Sequence, residues 1–274
     1  MDIIILASSI IIAIISFSFL KKPLLFFLRQ KNIMMTNYAG RQVLNSGGLI
    51  ILIPYLLSLL PLLLLNTYQN ISLLLIILAA LTIGGMLDDL LGDSSSKGLI
   101  GHICAFMQGN MSTGILKALL GSLTGFLLAW TKDTKLIHLL IDTCLFAFTV
   151  NLINLLDLRP GRAIKGFGLL LILTETFSRF SHIHFVLPVI TLLVLYIKGE
   201  MKELYMLGDA GASLLGGILG FYWVSFLNTI LKGIILIFII LLHLFAEFHS
   251  LSYYIEKYPF FKKIDALGRK YDDK

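Results

Sequence analysis

The sequence predicts an all-α bundle of transmembrane helices, and three observations carry that expectation. Of 274 residues, 57% are hydrophobic and only 14% charged, where a soluble domain has about a quarter charged. Mean hydropathy is +0.90. Apolar runs such as residues 2–20 are long enough to cross a hydrocarbon core about 30 Å thick. The runs are continuous rather than alternating, which excludes a β-barrel. A single integral-membrane unit over residues 1–274 is expected, with about nine spans.

The formal charge of +6 does not indicate nucleic acid. Of 22 basic residues, only Lys132, Lys135, Arg179 and Lys232 fall on one side of the predicted spans. The remainder fall on the other, which the positive-inside rule makes cytoplasmic. The excess therefore reflects topology and attraction to anionic head groups, so membrane lipids are expected partners. Two cysteines, Cys104 and Cys144, suggest neither a disulfide framework nor a zinc site.

Taken in order, the first run, about 2–20, ends in Lys21-Lys22-Pro23 without a small-residue cleavage site. It is read as a retained span with its N-terminus outside, not as a signal peptide. A basic cytoplasmic loop, 21–47, follows, containing Asn37-Tyr38-Ala39-Gly40-Arg41 and Ser46-Gly47-Gly48. Span two, about 48–65, runs outward to a polar turn, and span three, about 71–88, returns and delivers Asp88 and Asp89. The loop 89–113 leads to span four, about 114–130; span five, about 136–156, ends in Asn151-Leu-Ile-Asn154-Leu-Leu-Asp157. After the loop 157–163 come spans six, about 164–179, and seven, about 183–198. The loop 199–208 precedes span eight, about 209–227, in which Ala212, Gly216 and Gly220 form a small-residue stripe suited to close helix contact. Span nine, about 232–248, leads into a basic, aromatic cytoplasmic tail, 249–274.

Carboxylates at the end of an apolar segment are costly, so Asp88 and Asp89 make a functional hypothesis the default. Asp157 and Asp209 are expected at the same face. Asn151, Asn154 and Asp157 recur at i, i+3 and i+6, one polar stripe on an apolar helix. Asp209 follows Gly208 and precedes a helix, which suits an N-cap with free backbone N–H groups for a phosphate. Hard oxygen ligands of this kind suit Mg²⁺ held by one or two carboxylates and substrate phosphates, with Mn²⁺ as the chemical alternative. Each carboxylate alone is equally a solvated loop residue or helix cap. Three clusters on one face point to phosphoryl transfer, which needs such a metal.

Gly85–Asp89, Asn151-x-x-Asn154-x-x-Asp157 and Met206–Ser213 resemble, in order, the motifs of the polyprenyl-phosphate N-acetylhexosamine-1-phosphate transferase superfamily. That superfamily includes the phospho-MurNAc-pentapeptide translocase of peptidoglycan synthesis and the GlcNAc-1-phosphate transferases. Asn37–Gly48 is similar to its first cytoplasmic loop, and Lys97–His102 to the segment after its aspartate pair. The resemblance implies Mg²⁺-dependent transfer of a sugar-1-phosphate from a nucleotide sugar to polyprenyl phosphate at the cytoplasmic face of a bacterial cell membrane. It makes Asp209 the principal metal ligand and assigns the lipid phosphate to Asp88 and Asp89, one as base, the other as ligand or electrostatic organiser. Adjacent helical residues point about 100° apart, so the two differ in role. Asn154 and Asp157 are implied on the nucleotide-diphosphate side, Asp157 counted with the catalytic set. Lys97, His102, Asn151 and Asn37 are counted as substrate contacts, and a homodimer is compatible with the pattern.

The chain departs from that pattern after span five. Relatives continue Asn-x-x-Asp-Gly-x-Asp-Gly, whereas here Leu158-Arg159-Pro160-Gly161-Arg162 follows. Arg159 and Arg162 are either contacts for the donor diphosphate, since guanidinium forks suit phosphate, or anchoring charges. The histidine-rich last loop of relatives is also replaced, by Tyr258–Arg269. Two other functions stay open. A transporter or flippase would use the acidic cluster as a cation site but predicts carboxylates near mid-bilayer and repeated halves. A catalytically altered relative would act as a membrane binding partner. His138/Asp142 and His243/Glu247, each i, i+4, are expected to be helix-packing pairs.

Overall fold

The computed structural model describes residues 2–65, 70–91, 113–179 and 182–269. The architecture is overwhelmingly helical. Helix α1 (Asp2–Gln30) leads through a short hairpin, β1 (Met34–Thr36) and β2 (Gln42–Leu44), to α2 (Gly48–Ser58) and α3 (Leu60–Leu64). Then follow α4 (Ile71–Leu91), α5 (Thr113–Trp130), α6 (Leu136–Leu156), α7 (Arg162–Phe177), α8 (Ile183–Glu200) and α9 (Gly208–Phe226). The chain closes with α10 (Thr229–Phe248) and two short helices, α11 (Leu251–Lys257) and α12 (Pro259–Ala266). Among the described residues, six helices are long and apolar enough to cross a membrane: α1, α4, α5, α6, α8 and α10.

Helix α9 is the hub. It is buried from Ala210 through Val224 and packs chiefly on α4 and α6. Its glycines make that approach possible. A Cβ on Gly216 would stand 2.5 Å from the Val150 Cα, and one on Gly220 3.0 Å from the Phe146 ring. The small-residue stripe thus faces α6. Because protein rather than lipid surrounds α9, its contact faces need small residues more than hydropathy. The opposite extreme is α10, apolar and almost wholly uncovered by protein.

Several boundaries differ from the sequence expectation. The helix expected to stop near residue 20 continues to Gln30 with Pro23 inside it, so its loop shrinks to 31–47. That loop holds the antiparallel hairpin, in register Met34↔Leu44, which an all-α expectation omits. Glu200 closes α8, and Thr113 opens α5. The segment 92–112, with the expected substrate contacts Lys97 and His102, lies outside the described residues.

The hairpin has a positional purpose. The Met206 N–H donates to the Leu44 carbonyl at 2.7 Å, and the Gly47 N–H donates to the Met206 carbonyl at 2.9 Å. The strand end is thereby stitched to the segment entering α9. Next to it, a Cβ on Gly48 would lie 2.3 Å from the Gly211 Cα. Only glycine at both positions lets α2 start against the first turn of α9.

Candidate active site

The first turn of α9 gathers carboxylates from two helices at one end of the bundle. Gly208, with φ +68°, turns the chain into the helix. A Cβ there would sit 2.4 Å from Asn45 Oδ1 and 2.8 Å from Asp89 Oδ2, so both conformation and space demand glycine. The helix is capped at Leu207, not at Asp209, which corrects the expected N-cap. The cap comes from α4. Asp89 Oδ1 accepts the Asp209 N–H at 2.9 Å, and Oδ2 accepts the Ala210 N–H at 3.2 Å.

Two side chains of the hairpin exit complete the shell around Asp89. Asn45 Nδ2 donates to Oδ1 at 2.9 Å, and Ser46 Oγ donates to Oδ2 at 2.6 Å. Ser46 has a positive φ of 56°, an uncommon conformation for a residue with a side chain. With four donors on two oxygens, Asp89 has few lone pairs left for a ligand.

Asp88, one residue earlier, points elsewhere. Its Oδ2 lies 3.5 Å from Lys117 Nζ, and the same ammonium donates to Asp209 Oδ1 at 2.5 Å. Lys117 is on the first turns of α5. A single cation therefore bridges two carboxylates brought together from positions more than a hundred residues apart. The adjacent aspartates are thereby separated: Asp89 holds the helix start, and Asp88 shares the Lys117 ammonium with Asp209.

Asp157 stands just past the end of α6, as its C-cap. Burial first, then the negative charges of Glu200, Asp209 and Asp89, push its carboxyl well above the usual carboxylate range. Glu200 is itself buried at the end of α8, and its Oε1 accepts the Gly161 N–H at 2.7 Å. That bond pins the loop after Asp157 to α8.

The other expected contacts are placed as follows. Asn154 is partly buried and Asn151 exposed, so the two do not share one environment. Asn37 is buried; its Oδ1 accepts the Ala39 and Arg41 N–H groups, and its Nδ2 donates to Glu203 Oε2 at 2.9 Å. It organises the hairpin turn. Arg159 pairs with Glu256 and lies over the Tyr38 ring at 4.5 Å. Arg162 is buried and forked on Asp265, with Nε to Oδ1 at 2.8 Å and Nη2 to Oδ2 at 2.9 Å. The expected helical pair of His138 with Asp142 is absent: His138 meets Asp133, while Lys232 Nζ donates to Asp142 Oδ2 at 2.9 Å.

Lys117, Asn45, Ser46 and Glu200 stand beside the expected carboxylates and were not singled out from the sequence. The signal for two of them was present. Lys117 and Glu200 are ionisable residues at the ends of apolar spans, the same criterion that singled out Asp88.

The donor chemistry fits a hard divalent cation. Asp88 and Asp209 offer carboxylate oxygens from facing helices, and a cationic group already sits between them. Among the described residues no three carboxylate, imidazole or thiolate side chains form a closed metal cluster. Two carboxylates with substrate oxygens are the usual Mg²⁺ complement. An apolar groove of about 220 Å³ opens between α6, α7, α9 and α10, lined by Leu152, Leu170, Leu173, Trp223, Leu231 and Phe238. Leu152 lies five residues before Asp157, roughly 7–8 Å along the helix, while the rest of the lining runs away from the carboxylates towards the end of α9, where Trp223 is roughly 21 Å along the helix from Asp209. No protein-family model matches the chain, and no curated protein matches it.

Proposed function

We propose that the protein transfers a sugar-1-phosphate from a nucleotide sugar, with UDP the leading nucleotide, to a polyprenyl phosphate. On this reading it has nine spans, its N-terminus outside, and its site at the cytoplasmic face of a bacterial cell membrane. The product is a polyprenyl-diphosphate sugar for envelope glycan synthesis. The observation that carries the reading is the convergence of Asp88 and Asp209 on one cation seat at the end of an apolar bundle.

In the reaction, an oxygen of the lipid phosphate attacks the sugar-bearing phosphorus of the donor. A new P–O bond forms, the bond to the nucleoside monophosphate breaks, and that monophosphate leaves. Asp88 and Asp209 would hold Mg²⁺, which when bound supplies neutralisation of the phosphoryl charge. Lys117 offsets the repulsion between the two carboxylates, and with Mg²⁺ bound its ammonium would be released to phosphate oxygens. Asp89 positions Asp209 through the α9 backbone and so fixes α9 against α4, which carries Asp88. Asp157, whose carboxyl burial and neighbouring negative charges push above the usual range, lines the diphosphate side. The apolar groove suits a prenyl chain.

The test is incubation of purified protein with undecaprenyl phosphate, Mg²⁺ and a panel of UDP-sugars. UMP release that disappears in Asp88→Asn and Asp209→Asn variants supports the assignment. Undiminished turnover in either folded variant sinks it.

A further inference from the structure

The C-terminal helices α11 and α12 take no part in the site, yet they are firmly docked. Asp265 receives the Arg162 fork, Arg162 Nη1 donates to Ser252 Oγ at 2.8 Å, and Lys165 Nζ donates to the Asp265 carbonyl at 2.6 Å. Arg269 also lies 2.5 Å from Asp265 Oδ2. Burial works against the charge, but hydrogen bonds and the charges of Arg162 and Arg269 hold the Asp265 carboxyl down to about 2. One side of α12 is therefore latched to the start of α7.

The other side is bare. Phe260 is 70% exposed and Leu267 68%, and Phe261 and Ile264 are exposed between them. At 100° per residue, Phe260, Phe261, Ile264 and Leu267 share an arc of about 120°. Lys262 and Lys263 lie outside that arc, and Lys257 ends α11. A contiguous apolar arc with a basic border is an interaction surface. What it meets is indicated by what precedes it. Helix α10 is the least protein-covered of the apolar helices; it exposes Phe248 in its last turn, three residues before α11 begins. The bare arc thus follows, twelve residues on, from the exposed apolar end of α10.

We propose that residues Leu251–Leu267 form an in-plane anchor for an anionic lipid surface, with the Phe260–Leu267 arc in the acyl boundary and Lys257, Lys262 and Lys263 at lipid phosphates. The chemistry is that of an interfacial amphipathic helix. Through Arg162 and Lys165, the seated anchor also steadies the loop that follows Asp157. The proposal rests on the chain being membrane-embedded, and the test separates the two.

Hydrogen exchange of the full-length protein is compared in nanodiscs of phosphatidylcholine alone and of phosphatidylcholine with phosphatidylglycerol. Exchange over residues 251–267 is expected to slow on the order of tenfold with the anionic lipid. Lys257→Gln/Lys262→Gln/Lys263→Gln should reduce that difference below about twofold, at unchanged exchange in α10. Equal exchange of the native tail in both lipids overturns the proposal. So does protection that tracks a dimer mass rather than lipid charge. Fast exchange along α10 in both discs overturns the membrane reading itself.

Discussion

Asp89 Oδ1 accepts the backbone N–H of Asp209 at 2.9 Å, so one aspartate caps the helix that carries another. This relationship separates stability from chemistry within a two-residue motif. Asp89→Ala strips the partner from four donors and is expected to cost about 2–4 kcal/mol. A melting-temperature drop of about 5–10 °C, followed by fluorescence in detergent, checks it. Asp88→Asn should leave the melting temperature within about 2 °C while removing turnover.

Lys117 offsets two carboxylates at once. Replacing it with Gln keeps a hydrogen-bond donor on a side chain one atom shorter but removes the charge. Turnover is expected to fall by about two orders of magnitude, the scale of losing one preorganised electrostatic contact. Initial rates at saturating Mg²⁺ measure it. Restoration by Arg would show that charge alone suffices.

Gly85 is where α4 passes the start of α9. A Cβ would lie 2.3 Å from the Asp209 carbonyl oxygen, a backbone atom that cannot swing aside. Gly85→Ala is therefore expected to destabilise by about 1–3 kcal/mol and to displace the neighbouring aspartates. Gly168→Ala is the control, because nothing lies within 4 Å of its Cβ position. Paired thermal melts and initial rates of the two variants check the contrast.

The tail latch depends on pH in a defined direction. Asp265 has a folded-state pKa of about 2, below the ordinary value of 3.8. Its contribution is therefore complete above the ordinary value and is lost as pH falls through about 2. Pepsin cleavage after Phe260 or Phe261 should accelerate across that window. In Asp265→Asn, cleavage should already be fast at the upper end.

The Lys232–Asp142 pair is buried between α6 and α10. Lys232→Met alone leaves a buried carboxylate unpaired and should cost about 3–5 kcal/mol. Lys232→Met with Asp142→Leu should recover most of that loss, read as melting temperature.

The helices were legible because long apolar runs leave few alternatives in the chain, and Asp88, Asp89 and Asp209 stood out because charge at a span end is expensive; that they meet in space is what the structure adds. What escaped had no local signature. The hairpin strand Met34–Thr36 is exposed at every position, so it carries no alternation to read. Asp209 looked like an N-cap because the true cap, Asp89, arrives from another helix. Arg159 and Arg162 read equally as phosphate contacts or anchoring charges, and no pattern within their loop announces Glu256 and Asp265 as partners.

The cap formed by Asp89 also has a consequence in time. Its acceptor is made 120 residues before the Asp209 N–H that it receives. At synthesis rates of about 5–20 residues per second, that gap lasts roughly 6–24 s. Throughout it, the Asp89 carboxylate lacks the two backbone donors that the finished protein gives it, and the strap that fixes the start of α9 to α4 closes only after α9 has been made.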